Sequence, residues 1–262
     1  MNARPKKSFG QHFLHEKRYI ERIVSAVSPK PDDFVVEIGP GEGALTLPLL
    51  AAAGKLTAIE LDTDLIPDLT ARAASVGELS IIHSDVLKVD FTALAHRHGV
   101  ERLRIAGNLP YYISSPILFH CVEHAAAIQD MHFMLQKEVV DRMAAEPGSK
   151  VYGRLSVMLQ LACRVEPLFT VPPGAFRPPP KVDSAVVRLI PLSPEQRHDA
   201  DPARVHAVVK AAFAQRRKTL SNALRQLMDS DAIKTADVDP KARAETLAPL
   251  DFVRLAKVLA GT

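Results

Sequence analysis

The stretch Glu37-Ile38-Gly39-Pro40-Gly41-Glu42-Gly43 decides the fold of this chain. It follows an apolar run at 34–38, which predicts a strand, and it leads into a helix-like segment at 43–53. Glycines between a strand and a helix let the backbone wrap closely around a ligand at the N-terminus of the helix. The stretch therefore predicts the first strand, loop and helix of an α/β sheet that binds a ligand at its edge.

The same alternation continues as far as residue 190, and after Pro191-Leu192-Ser193-Pro194 the pattern becomes helical. We therefore expect a mostly parallel sheet domain at residues 1–191 and a helical domain at residues 192–262. Further strands are predicted at 56–60, 79–83, 103–106, 131–135 and 184–190, and crossover helices at 43–53, 64–74 and 116–127.

Composition excludes several classes of protein. With 47% hydrophobic and 24% charged residues, the chain is neither disordered nor fibrous in character. No apolar run is long enough to span a membrane or follows the basic N-terminus as a secretory signal would, so we expect a cytoplasmic protein with no membrane partner. Cys121 and Cys163 lack the spacing of metal ligands, which predicts buried free thiols and no metal.

The glycine spacing indicates the class of ligand. It reads ExGxGxG, whereas a nicotinamide-binding loop reads GxGxxG and places a pyrophosphate at the helix N-terminus. Glu37 would repel a pyrophosphate, but it suits the amino group of a methionine moiety. The loop therefore favours S-adenosylmethionine as the cofactor, with Gly39 and Gly41 among its contacts.

Two further acidic residues follow the next predicted strands. Glu60 can accept hydrogen bonds from both ribose hydroxyls, and Asp85 can bind the adenine amine of the same cofactor. The alternative for each acid is a helix N-cap. Together these features predict a fold of the α/β class, a Rossmann-like sheet of the class I S-adenosylmethionine-dependent methyltransferases with a small helical C-terminal domain.

The run Asn108-Leu109-Pro110-Tyr111 at the end of the predicted fourth strand indicates the reaction. Adenine N6 is a poor nucleophile, because its lone pair is delocalised into the ring. The Asn108 amide oxygen and the Leu109 carbonyl can accept both N6 hydrogens and expose that lone pair. Pro110 would hold the geometry rigid, and Tyr111 can stack on the base. The alternative is a turn-capping asparagine and a core tyrosine.

A stacked base is out of reach of such a site, so the nucleotide must be flipped out or unpaired and clamped between flat side chains. The segment 171–181 is too rich in proline for a helix or a central strand and predicts a stiff loop. Phe176 on this loop is the candidate for the second face of the base. Ordinary loop packing is the alternative.

The net charge of +3 is too small to indicate nucleic-acid binding by itself. Basic residues nevertheless cluster near the N-terminus and in one segment of the helical domain. Charge alone leaves open that these clusters are solvated helix faces. The candidate RNA-binding residues of the helical domain are Lys210, Arg216, Arg217, Lys218 and Arg225.

These motifs together resemble the KsgA/RsmA family, and the resemblance runs from about residue 6 to the end of the chain, as the matching segments show. Besides the motifs above, the segments that carry it are Lys7–Leu14, Leu135–Val139, Gly153–Val157, Phe176–Ser184 and Gln215–Leu220. The family dimethylates two adjacent adenosines in the hairpin loop near the 3′ end of small-subunit (16S) rRNA and takes part in ribosome assembly. The resemblance therefore implies rRNA within a pre-ribosomal small subunit as the partner, and we expect a monomer.

The resemblance also implies roles for single residues. Cofactor contacts are carried onto His12, Leu14, Gly39, Glu60, Asp85 and Asn108, and the helical domain is expected to grip RNA through its basic segment. The chain departs from the family at His12 and at Tyr112, where the family commonly has asparagine. His12 can still donate and accept a hydrogen bond, so cofactor binding is expected to survive.

Three other functions are compatible with parts of this pattern. A methylase of large-subunit rRNA that confers antibiotic resistance shares the Asn108–Tyr111 motif, but the segments 136–138, 153–157 and 215–220 favour the small-subunit enzyme. A ribosome-assembly factor for which methylation is incidental is a second alternative. A dinucleotide-dependent oxidoreductase is disfavoured by the glycine spacing.

Overall fold

The computed structural model describes residues 12–259, so the basic N-terminus and the beginning of the Lys7–Leu14 motif lie outside the described residues. The chain divides into two units. The first runs up to Val140 and includes Glu166–Pro191, and the second consists of Asp141–Val165 and the chain from Leu192 onward. Within residues 12–259, no helix is both long enough and apolar enough to cross a bilayer.

The first unit is built on a large sheet. The strands of the described chain are β1 (Phe13–Leu14), β2 (Val35–Ile38), β3 (Lys55–Glu60), β4 (Glu78–His83), β5 (Leu103–Asn108), β6 (Ile128–Gln136), β7 (Cys163–Val171), β8 (Phe176–Arg177) and β9 (Ser184–Pro191). The helices are α1 (Lys17–Val27), α2 (Thr46–Ala53), α3 (Ile66–Ala73), α4 (Phe91–Arg97), α5 (Ser114–Glu123), α6 (Lys137–Met143), α7 (Arg154–Gln160), α8 (Pro202–Ala214), α9 (Leu220–Ala223), α10 (Ser230–Thr235) and α11 (Pro249–Val258).

The order of the strands places a crevice beside β2. The seven strands lie in the order β4-β3-β2-β5-β6-β9-β7. β2 pairs in parallel with both β3 and β5, so the chain leaves on one side of β2 and returns on the other. In such sheets a ligand binds at the carboxyl ends of the strands where this reversal occurs. The predicted α/β fold is confirmed, and β9 adds an antiparallel strand beside β6.

The sequence pattern did not predict β7. Its sequence contains Pro167 and alternates with charged residues such as Arg164 and Glu166, which weakens the signal of a strand. β7 lies at the end of the strand order, and an edge strand tolerates a residue that lacks an N–H. The position of the strand in the sheet, which the sequence does not state, explains why proline is accepted there.

A small two-stranded sheet joins the N-terminal segment to the proline-rich loop. β1 and β8 are antiparallel, with Leu14 opposite Phe176. The His15 N–H extends the pairing by donating to the Ala175 carbonyl at 3.0 Å. Two segments separated by well over half of the chain's length are thereby held together.

The second unit is helical and has its own core. α8 and α11 contribute buried side chains such as Val208 and Phe252. The sequence pattern placed residues 141–165 in the first domain, whereas these residues group with the helical unit. The reason is burial, because Tyr152 and Val157 belong to the same apolar core, and the Tyr152 hydroxyl donates to the Leu247 carbonyl at 2.8 Å.

A buried ion network anchors α1 to the start of β5. The Arg104 guanidinium makes bonds of 2.9 and 2.8 Å to the two carboxylate oxygens of Asp130 and one of 2.7 Å to Asp33. It also donates to the carbonyls of Val27 and Ser28 at the end of α1. Burial alone would raise the pKa of Asp130, but its bonds with Arg104 hold that pKa below the usual range.

We expect Arg104→Ala to lower the free energy of unfolding by about 3–5 kcal/mol, because it leaves the Asp130 charge buried without its main partner. Urea denaturation at neutral pH measures the change. The matched control is Arg102→Ala, which removes an exposed arginine paired only loosely with Glu101 at 3.6 Å and is expected to change stability by less than about 0.5 kcal/mol. Equal effects of the two substitutions would contradict the structural role of the network.

Candidate functional site

One cavity at the carboxyl ends of β2, β3 and β5 brings the predicted residues together. All of the candidate cofactor residues and the whole Asn108–Tyr111 motif line it. These lining residues are His12, Leu14, Gly39, Gly41, Glu60, Asp85, Asn108, Leu109, Pro110 and Tyr111. Residues that are distant in sequence therefore converge where the strand order reverses.

The glycine loop adopts a backbone conformation that other residues rarely reach. Gly39 has φ +67° and Gly41 has φ +56°, both in the left-handed region. A side chain at Gly41 would also lie 3.2 Å from the ring of Phe13 on β1. The loop is therefore shaped by both positive φ angles and the close approach of the N-terminal strand.

Glu60 at the end of β3 is held by backbone groups. Its Oε1 accepts from the N–H groups of Leu61 and Asp62 at 2.8 Å, and its Oε2 accepts from Gly41 at 3.2 Å. These bonds fix the carboxylate against the glycine loop. Asp85 has a partly structural role as well, because its Oδ1 caps a short 3₁₀ turn by accepting from Leu87 at 3.0 Å.

Glu37 has the opposite environment. It is only 1% exposed, it lines the cavity, and within the described residues its Oε2 has no hydrogen-bond partner. Burial raises the pKa of Glu37 to about 8, and the Glu60 carboxylate adds to the increase. A buried carboxyl oxygen without a partner in a cavity is suited to a ligand that brings a hydrogen-bond donor or a positive charge.

The side-chain amide of Asn108 has a defined orientation. Its Nδ2 donates to the His12 carbonyl at 3.1 Å, which leaves Oδ1 as an acceptor in the cavity. The backbone N–H of Leu109 donates to the Met134 carbonyl at 3.1 Å, so the chain after Asn108 is fixed by β6. The motif therefore presents oxygen acceptors from a rigid strand end.

Tyr111 is held at its hydroxyl end. The hydroxyl shares a hydrogen bond of 2.7 Å with the Ser184 hydroxyl, and burial raises the pKa of Tyr111. The phenol therefore stays protonated, and the tyrosine contributes a neutral flat ring to the cavity. Ser184 received no role from the sequence, although it ends the Phe176–Ser184 segment of the resemblance.

Phe176 lies outside the cavity lining. Its side chain is 2% exposed, belongs to the apolar core with residues such as Leu14 and Val186, and is absent from the cavity lining. The pairing of β1 with β8 explains this placement, because it fixes Phe176 opposite Leu14. A ring in this position cannot stack on a base unless it leaves the core, so the assigned role stays a prediction.

The cavity also includes residues that the sequence analysis left without a role. Leu61 is 48% exposed and Tyr112 is 61% exposed, and both line the cavity. Their position next to Glu60 and Tyr111 in the sequence was the available signal. Side-chain exposure is a three-dimensional property, and single apolar residues at loop positions do not reveal it.

The candidate RNA-binding residues all lie in the helical unit. Lys210, Arg217, Lys218 and Arg225 are exposed, as nucleic-acid contacts require. Arg216 is partly engaged within the unit, since its guanidinium donates to the Lys150 carbonyl at 3.0 Å and pairs with Glu245 at 3.2 Å. Within residues 12–259, no cluster of three or more His, Cys, Asp or Glu side chains is arranged to hold a metal.

Comparison with known proteins identifies relatives over nearly the whole length. The family model described as ribosomal RNA adenine dimethylase matches residues 2–261. The ribosomal RNA small subunit methyltransferase A of Xanthomonas oryzae pv. oryzae is 62% identical over 257 residues, covering 98% of this chain and 97% of the relative. The protein of the same name from Xanthomonas campestris pv. campestris is 61% identical, with the same coverage.

Solved structures agree with this assignment. A dimethyladenosine transferase from Plasmodium falciparum superposes with a TM-score of 0.80 at 27% identity, over 93% of this chain and 96% of that protein. The 23S rRNA methyltransferase ErmE superposes with a TM-score of 0.73 at 27% identity, over 95% and 99%. The chain belongs to the ribosomal RNA adenine dimethylase family, and its activity is the dimethylation of adenine in ribosomal RNA.

Proposed function

We propose that this chain transfers methyl groups from S-adenosylmethionine to N6 of two adjacent adenosines in the hairpin loop near the 3′ end of small-subunit (16S) rRNA. The relatives at 62% identity are named for the small subunit, whereas the large-subunit enzyme ErmE is 27% identical. The substrate is a pre-ribosomal small subunit, and the enzyme acts in the cytoplasm as a monomer. The oriented amide of Asn108 beside a glycine loop is the observation that carries the proposal.

The residues of the cavity fit the cofactor that membership of a methyltransferase family implies. The unpartnered Oε2 of Glu37 is suited to the ammonium group of the methionine moiety. Glu60 is fixed as an acceptor for ribose hydroxyls, and Asp85 retains an oxygen for an adenine amine. When bound there, S-adenosylmethionine supplies an electrophilic methyl group on a positively charged sulfur.

The residues at the end of β5 activate the nucleophile. Asn108 Oδ1 and the Leu109 carbonyl accept the two hydrogens of N6, which draws the lone pair out of conjugation with the ring. Pro110 limits the movement of this backbone, and Tyr111 supports the base by stacking. The methylated nitrogen is acidic enough to lose its proton to water, so orientation supplies most of the acceleration.

The helical unit supplies affinity rather than chemistry. Phosphate contacts from Lys and Arg give binding that depends strongly on salt and little on sequence. Lys210, Arg217, Lys218 and Arg225 are exposed, and Arg216 combines a structural role with a partly exposed guanidinium. We assign these residues to the rRNA backbone.

The wild-type protein is expected to incorporate labelled methyl groups from S-adenosylmethionine into unmethylated small subunits, at N6 of two neighbouring adenosines. Asn108→Ala is expected to lower kcat by at least about a hundredfold, because one of the acceptors that localise the lone pair is lost. Binding of the subunits is expected to change by less than about threefold, because the motif does not contact phosphates. Mass spectrometry of the rRNA and filter binding measure the two quantities.

The matched control is Gln129→Ala, which removes an exposed amide from β6 of the same sheet and is expected to leave turnover unchanged. Methylation of large-subunit rRNA instead would overturn the proposed substrate. Normal turnover of Asn108→Ala would overturn the proposed role of the motif.

The pH dependence of stability tests the environment of Glu37. Because its pKa is raised from 4.5 to about 8 in the folded protein, wild-type stability falls as the pH rises between these values. Each unit of pKa difference corresponds to about 1.4 kcal/mol. Glu37→Gln removes this loss. Without cofactor, the unfolding free energy of the variant minus that of wild type is therefore expected to increase from pH 5 to pH 8.

The same substitution is expected to weaken S-adenosylmethionine binding by about tenfold in isothermal titration calorimetry, since it removes the charge that meets the ammonium group. Glu78→Gln, at an exposed residue paired with Lys55, is the control for both measurements. Parallel pH profiles of wild type and Glu37→Gln would exclude the raised pKa, and unchanged affinity would exclude the ammonium contact.

Replacing both Arg217 and Lys218 by Ala is expected to reduce the salt dependence of rRNA binding. Two lost phosphate contacts lower the slope of log K against log salt by about 1.5 in magnitude. Binding assays at several salt concentrations measure the slope. Lys234→Ala in the same unit is the control, because Lys234 is paired with Asp231 at 2.7 Å. An unchanged slope would mean that Arg217 and Lys218 are solvated surface residues that do not contact RNA.

A further inference from the structure

His12 contacts two residues of the strand-end motif and one residue of the proline-rich loop. Its backbone carbonyl accepts the hydrogen bond from the Asn108 amide at 3.1 Å. Its imidazole lies against the ring of Tyr111, with the ring centroids 5.6 Å apart and the planes inclined by 27°. Its Nδ1 lies 2.7 Å from the carbonyl oxygen of Pro178 on the proline-rich loop.

The contact with Pro178 defines the state of the imidazole. A carbonyl oxygen can only accept, so Nδ1 must carry a proton for this hydrogen bond to form. The hydrogen bond to Pro178 and the stacking on Tyr111 together restrict both side-chain torsions of His12. The imidazole is therefore a rigid link between the proline-rich loop and Tyr111.

Within residues 12–259, the side chain of Tyr111 has one hydrogen bond, at its hydroxyl. That bond, with the Ser184 hydroxyl, fixes the far end of the side chain but does not by itself set the inclination of the ring plane. A planar partner on one face removes that freedom and leaves the other face for a base. The imidazole of His12 thus limits the inclination of the Tyr111 ring plane.

We propose that His12 is a positioning residue, which sets the ring plane of Tyr111 for the target adenine by stacking on it while being tied to Pro178. This role rests on the proposed function of Tyr111 and adds to the cofactor contact that the family resemblance implies for His12. It acts on the fraction of bound adenine that has the geometry for attack. It therefore acts on kcat rather than on the binding of RNA.

Three substitutions at this position separate the contributions. His12→Ala removes both the planar group and the donor, and His12→Leu fills similar volume without either. His12→Asn keeps a planar group and places an N–H donor at nearly the position of the imidazole Nδ1. The backbone carbonyl that orients Asn108 is present in all three variants.

Steady-state kinetics with unmethylated small subunits are the first measurement. We expect His12→Ala and His12→Leu to lower kcat by about tenfold, with the KM for subunits changed by less than about twofold. We expect His12→Asn to recover kcat to within about threefold of wild type. Calorimetry of S-adenosylmethionine binding separates this effect from a cofactor contact, and wild-type turnover in the same assay tests the proposed function independently.

Nuclear magnetic resonance of the free protein is the second measurement and needs no RNA. The chain has only four tyrosines, so ¹³C labelling of tyrosine gives few ring signals, and Tyr111→Phe assigns the relevant one. His12→Ala is expected to shift the Tyr111 ring signal and to leave that of Tyr152, in the helical unit, unchanged. This readout does not depend on activity.

The outcomes are distinguishable. Equal kcat for His12→Leu and His12→Asn would mean that only volume matters and would overturn the proposal. So would a loss confined to S-adenosylmethionine affinity, an unmoved Tyr111 signal, or a higher kcat in His12→Ala, which would mean that the imidazole competes with the base. A lower kcat in His12→Ala and His12→Leu together with a recovered kcat in His12→Asn would support the proposal.

Discussion

The hydrogen bond from the Asn108 amide nitrogen to the His12 carbonyl is the interaction on which the site depends. An amide has one donor and one acceptor end of similar shape, and only the acceptor end can localise the lone pair of an exocyclic amine. By engaging the donor end, the His12 carbonyl leaves the oxygen toward the cavity. The geometry of the nucleophile site at the end of β5 is therefore set by His12, which directly precedes β1 at the beginning of the described chain.

The two carboxylates at the carboxyl ends of β2 and β3 show how burial assigns different tasks to the same chemical group. Glu60 accepts from three backbone N–H groups, which fix the orientation of its carboxylate. Glu37 is even more deeply buried and has an oxygen with no partner within the described residues, so its charge is costly until a ligand supplies a positive group. The protein thus stores an unfavourable burial that a cationic ligand relieves, which couples cofactor binding to stability.

The parts of the structure that follow from local pattern were predictable, and those that follow from distant pairing were not. The glycine spacing and the strand-end positions of Glu60, Asp85 and Asn108 place these residues in one cavity, because parallel strands end at one edge. The buried position of Phe176 and the structural bonds of Arg216 could not be predicted in this way. Both depend on partners more than 25 residues away, with Leu14 facing Phe176 and Glu245 pairing with Arg216. Neither pairing leaves a periodic signal in the sequence.

The arrangement also explains why adjacent basic residues can differ in function. Transfer to N6 needs acceptors and rings that are immobile, and the first unit provides them through backbone hydrogen bonds to Glu60, Asn108 and Leu109. Binding of an RNA backbone needs charges that are exposed, and a charge already committed to a protein carboxylate contributes less to counterion release. All three side chains are exposed, but only Arg216 among them has a described ion pair, with Glu245. Within one short segment, Arg216 makes bonds inside the helical unit, and Arg217 and Lys218 are the residues that we propose contact phosphate.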